Sequence, residues 1–123
     1  MNKIEYISGD LVYIHGSLRI ISNCDGYYAT YYDENESLQE VNVNVIEGIP
    51  FTLDIIIKNG WMENRYTDMF YKAIGEGRYL NLRVEGQTWI VGLAHQDLLK
   101  NIKYVHELQH LLYGLKLNSE MEV

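Results

Sequence analysis

In its first half the chain sets short apolar runs between clusters of turn residues. Leu11-Val12-Tyr13-Ile14, Leu18-Arg19-Ile20-Ile21 and Tyr27-Tyr28-Ala29-Thr30-Tyr31-Tyr32 are rich in β-branched and aromatic residues, which fit a pleated, half-buried surface and predict three strands. His15-Gly16-Ser17 and Asp25-Gly26 supply residues that tolerate positive φ and so predict tight hairpins, and Asp33-Glu34-Asn35-Glu36 predicts a solvated turn. The strict alternation of Glu40-Val41-Asn42-Val43-Asn44-Val45-Ile46 predicts a fourth strand with its valines on one face.

Beyond Pro50 the period changes. Thr52 is placed to cap a helix with Asp54 in its first turn, and Lys58-Asn59-Gly60 is a stop. Trp61 and Met62 restart extended chain. Tyr66 to Ile74, Tyr79 to Val84 and Thr88 to Leu93 then predict three antiparallel strands, broken at Gly75-Glu76-Gly77 and Glu85-Gly86. A closing helix is expected from somewhere between Asp97 and Lys103 to about Leu117. Ile102, Val105, Leu108, Leu112 and Leu115 form its packing face, and His106, Gln109, His110 and Tyr113 an adjoining face. The expected class is α+β in one domain: an SH3-like antiparallel meander over 1–49, a short helix over 50–60, a second antiparallel group over 61–96 and a helix over 97–117.

Composition narrows the functions open to such a chain. With 123 residues, one Pro and 47% hydrophobic residues, it can bury a core but is small for an enzyme with a lid. A net charge of −7 with scattered cations argues against a DNA-binding face. The single Cys24 forms no internal disulfide and suits a reducing compartment. No apolar run reaches signal or membrane-span length, so a cytoplasmic protein without membrane partners is expected.

One segment carries overt chemistry. In His106-Glu107-Leu108-Gln109-His110 the histidines stand four apart, so on a helix both imidazoles can address one Zn²⁺ while Glu107 activates a water. The spacing resembles that of the zincin metallopeptidases. It departs from them downstream: no histidine follows, and Glu120 and Glu122 lie in a polar tail close behind His110. His95, ahead of the motif, is the remaining candidate for a third ligand. The metal reading, a hydrolase with His95, His106 and His110 as ligands and Glu107 as base, therefore stands as the alternative to a packing helix with a surface-facing polar stripe, no metal and no cofactor.

The second unusual feature is 11 Tyr against 2 Phe. Tyr offers a flat face for stacking and a hydroxyl that fixes orientation. Alternation puts Tyr28, Thr30 and Tyr32 on one face of their strand and Tyr27, Ala29 and Tyr31 on the other, so one face presents rings outward. Trp61, Arg65, Tyr66 and Arg78 add guanidinium groups, which fork onto phosphate, beside rings that hold a base. Gly75-Glu76-Gly77 does not lead from a strand into a helix and reads as a turn, not a phosphate loop.

Two stretches, Ile49-Pro50-Phe51-Thr52 leading to Ile57-Lys58-Asn59-Gly60-Trp61, and Ile102-Lys103-Tyr104-Val105-His106-Glu107-Leu108-Gln109-His110-Leu111, resemble a group of short proteins encoded by phages and prophages of gut anaerobic bacteria. Members of that group often carry Gln at the place of Glu107 and Asn at the place of His110, which implies a packing helix. The resemblance also implies an accessory protein of the infected bacterial cytoplasm that acts by binding. The expected function is sequestration of a nucleotide-like host immune signal by Tyr28, Tyr32, Trp61, Arg65, Tyr66 and Arg78, in a homo-oligomer. A host defence protein held by the tyrosine strand is the other expected partner.

Overall fold

The computed structural model describes residues 6–94 and 96–123. The fold is α+β: an amino-terminal meander, a short helix, a second antiparallel group and a closing helix, as the sequence pattern predicts. Contacts divide the chain into two compact units, one of residues 1–49 with 104–120 and the other of residues 50–103 with 121–123.

The first unit holds β1 (Leu11–Ile14), β2 (Ser17–Ile20), β3 (Asn23–Cys24), β4 (Tyr28–Tyr32), β5 (Leu38–Asn42), β6 (Ile46–Gly48) and α2 (Val105–Gly114). Its sheets run β2-β1-β6 and β3-β4-β5, every neighbour antiparallel. The β1–β2 hairpin turns through His15 and Gly16, both at positive φ as a two-residue turn of this twist requires. Val12, Ile14, Ile21, Ala29, Tyr31, Val43 and Ile46 meet in one apolar cluster, to which Tyr6 is added. The expected strand from Glu40 to Ile46 is interrupted. Asn42 Oδ1 accepts from the Asn44 backbone N–H at 2.9 Å, a local bond that competes with the ladder, and Val43–Val45 form a 3₁₀ turn before β6. Val43 is thereby buried while Val45 faces outward.

The second unit holds α1 (Leu53–Lys58), β7 (Met62–Asn64), β8 (Met69–Gly75), β9 (Arg78–Glu85), β10 (Thr88–Leu93) and β11 (Gln96–Ile102), with strand order β11-β10-β9-β8-β7. Thr52 caps α1, its Oγ1 accepting from Ile55 N–H at 3.4 Å. Phe70, Leu80, Leu82, Val91, Ile56 and Trp61 are buried, and Trp89 takes Phe51 and Phe70 edge-on at 5.9 and 6.2 Å between centroids. Three expectations are corrected in this unit. The sheet has five strands, not three, and the Tyr66–Ile74 strand begins only at Met69. Residues 96–102, expected to fall partly in the closing helix, pair with β10, so the helix starts at Val105.

Candidate functional site

The His106–His110 segment is assembled from α2 and the stretch before β1. Val105, Leu108 and Leu112 face the interior. In the polar stripe beside them, expected on the surface, Tyr113 is exposed, His106 and His110 are half-buried and Gln109 is buried. Gln109 is 3% exposed; its Oε1 accepts from Leu11 N–H at 2.8 Å, and its Nε2 donates to Gly9 O at 3.1 Å and Ser119 O at 3.0 Å. Nε2 of His110 lies 2.6 Å from Oδ2 of Asp10, a carboxylate 1% exposed that also accepts from Ile7 N–H at 2.9 Å.

His106 sits among rings. Tyr104 stacks on it, with 5.8 Å between centroids and 11° between planes. Tyr6 is tilted against it at 5.0 Å, and His110 meets it edge-on at 5.7 Å. Gly48 makes room for this stack, because a Cβ there would lie 2.6 Å from Cδ1 of Tyr104. Nδ1 of His106 is buried and makes no hydrogen bond among the described residues. Burial, first of all, holds the ring's pKa below the ordinary histidine value; the charge of Asp10 opposes that, His110 adds to it and Glu107 opposes it. Burial likewise raises the Tyr6 phenol, with Asp10 next in effect.

Two members of the zinc-like motif have protein partners in this structure. Nε2 of His110 addresses Asp10. Oε1 of Glu107 accepts from the Tyr104 backbone N–H at 2.9 Å and so closes the helix amino terminus. Among the described residues no three His, Cys, Asp or Glu side chains converge as metal ligands. His95 lies outside the described residues.

The aromatic candidates fall into separate places. Tyr28 and Tyr32 project from the outer face of β4, opposite Asn42 and Leu38 of β5, in the first unit. Trp61 is 4% exposed and has Lys72 Nζ 5.9 Å from its ring centroid; it packs in the interior of the second unit and offers a ligand no open face. Burial lowers the pKa of that lysine. Arg65 and Tyr66 stand together on the β7–β8 turn. Asn64 builds this turn: its Oδ1 accepts from Tyr66 N–H at 2.9 Å and its carbonyl accepts from Thr67 and Asp68 N–H. Arg65 and Tyr66, with Met62, Glu63, Tyr71 and Tyr79, line an open groove of about 610 Å³ on the β7-β8-β9 face. Arg78 is exposed on β9, next to Tyr79.

Tyr71, Tyr79 and Met62 were missed by sequence reasoning. The signal was the cross-strand register, which a sequence leaves open: Met62 pairs with Tyr71, and Ala73, two residues on, with Tyr79, so alternate positions gather on one face. Arg65 and Arg78 form no ion pair among the described residues, whereas Arg19 is held by Glu34 and Arg83 by both oxygens of Asp97. That pairing raises the Arg83 pKa and lowers that of Asp97. No protein-family model matches the chain, and no curated protein or solved structure is similar enough to it to count as a relative.

Proposed function

We propose that this chain is a non-catalytic binding protein whose β7-β8-β9 groove takes a planar, anionic, nucleotide-like molecule, as an accessory protein of phage type would to sequester a host signal. The observation that carries the reading is the groove itself: about 610 Å³ lined by three tyrosines beside Arg65, a cation with no ion-pair partner among the described residues. Tyr66 is 99% exposed, so its ring is available to a ligand. Stacking contributes about 1–3 kcal/mol per ring, and a charge-assisted contact from Arg65 orients the anion. The lining carries one acid, Glu63, with no histidine, cysteine or serine beside it, a set suited to holding a molecule and not to cleaving it. Self-association would deepen an open groove, and ligand-dependent dimerisation belongs to the same proposal.

Thermal-shift and calorimetric titration with nucleoside monophosphates and cyclic nucleotides tests this. The wild type is expected to gain stability with ligand. Tyr79→Ala should weaken binding by about 5- to 150-fold, the equivalent of one stacked ring. Arg65→Ala should abolish the preference for a nucleotide over its nucleoside. A wild type that no nucleotide stabilises ends the proposal.

A second reading rests on Tyr28, Tyr32 and Leu38, which are exposed on the outer face of β4 and β5. We propose this strand face as the contact for a protein partner, such as a host defence protein. Tyr32→Glu would then abolish the biological effect while leaving nucleotide binding intact, and an unchanged effect would exclude the contact.

A further inference from the structure

We propose that Tyr6, Asp10, Tyr104, His106 and His110 form an acid-released latch in the first unit: protonation of His106 undocks the segment Tyr6–Leu11 from α2. Three contacts make up the docked state. Asp10 receives His110, Gln109 ties Leu11 and Gly9, and Tyr6 lies against the ring of His106. Neutral His106 suits this arrangement because its Nδ1 is buried and has no hydrogen-bond partner among the described residues. A protonated imidazole is a donor at both nitrogens, so it would leave a buried N–H unpaired at Nδ1 and place a positive charge in a largely desolvated site.

The groups that face His106 come from every neighbouring element. The amino-terminal segment contributes Tyr6 and Asp10; α2 and its cap contribute Tyr104, Glu107 and His110; Cys24 of β3 acts on Tyr6. The two acids that favour a cation are already engaged, Asp10 with His110 and Ile7 N–H, and Glu107 with Tyr104 N–H. Opening the segment is the route by which His106 gains water.

Burial holds the pKa of His106 below that of an unfolded histidine, so the undocked chain takes up the proton more readily. The contribution of neutral His106 to docking is therefore complete above about pH 6.5, the unfolded value. It is lost as pH falls from there toward the ring's own lower value. Each unit of depression corresponds to a tenfold shift in the opening equilibrium.

The test is amide hydrogen exchange of the full chain between about pH 7.5 and 5, corrected for intrinsic rates, read at Leu11, whose N–H is held by Gln109 of α2 in the docked state. Protection at this amide should fall with acidification by about tenfold per unit of depression while amides of β9 and β10 hold. His106→Phe keeps a ring against Tyr6 and Tyr104 without a titrating nitrogen, and should abolish the fall. Should that variant fail to fold, the NMR titration of the His106 Cε1–H in the wild type replaces it, and its midpoint should lie below that of a histidine in an unstructured peptide. Protection that is independent of pH, an equal fall in His106→Phe, or a His106 midpoint at or above the unstructured value overturns the latch. The nucleotide groove lies in the other unit, so failure of either proposal leaves the other standing.

Discussion

Gln109 shows what a single residue can hide in a sequence. Its helical position put it among polar neighbours, so periodicity placed it on an outer face. Burial could not be foreseen there, because two of its three backbone partners, Leu11 N–H and Gly9 O, lie about a hundred residues away at the start of β1 and just before it. Gln109→Leu keeps the helix propensity and roughly the volume but strands the Leu11 N–H and two carbonyls. A buried polar group left unmatched costs about 1–3 kcal/mol, so a loss of about 2–4 kcal/mol is expected in urea unfolding, and a loss under about 1 kcal/mol would show that the segment relaxes away. The same residue scale explains His106, Glu107 and His110. Their zinc-like spacing is read from the helix alone and the Glu107 cap is local, whereas the contact of His110 with Asp10 joins residues a hundred apart, which no local pattern reveals.

Among the elements, those written in local chemistry were legible and those that depend on pairing were not. The helix α1 was readable from Thr52 to Gly60 because its cap, first-turn acid and stop all lie within the segment. Thr52→Ala should cost about 0.5–1 kcal/mol by thermal melt, at the lower end for a cap since the bond is 3.4 Å long. β11 was misread for a definite reason. Opposite β10, Val91 pairs with Leu99 and Trp89 with Ile102, so three steps of β11 cover two of β10, and a second shift follows between Val91 and Gly92. These bulges stretch the apolar spacing of Leu98, Leu99 and Ile102 from a strand's two toward a helix's three to four. Gly92 lies at the second shift. A Cβ there would stand 2.8 Å from Oδ1 of Asn81 and 3.0 Å from the Gln96 carbonyl. Asn81 is itself buried and donates to Ala94 O, so it has little room to yield. Gly92→Ala should therefore destabilise by about 1–3 kcal/mol in chemical denaturation. An unchanged midpoint would show that β10 and β11 part without cost.

For the whole molecule, charge sets a condition on the proposed ligand. The chain carries −7, and the groove sets Glu63 beside Arg65. At low ionic strength an approaching nucleotide meets the repulsion of the whole protein before the attraction of one guanidinium, since Arg65 acts only at close range while the net charge acts over tens of ångströms. Salt removes the long-range part first. The association rate constant of an anionic nucleotide, followed by stopped-flow quenching of intrinsic fluorescence, should therefore rise about two- to tenfold between about 20 and 300 mM salt, with the dissociation rate nearly constant. A neutral nucleoside should show no such rise. If association instead slows with salt, Arg65 and Arg78 together generate a local positive field strong enough to reverse the effect of the net charge. The anion would then be drawn in by the arginines before stacking begins, and Arg78→Ala, which removes no lining residue, should restore the rise.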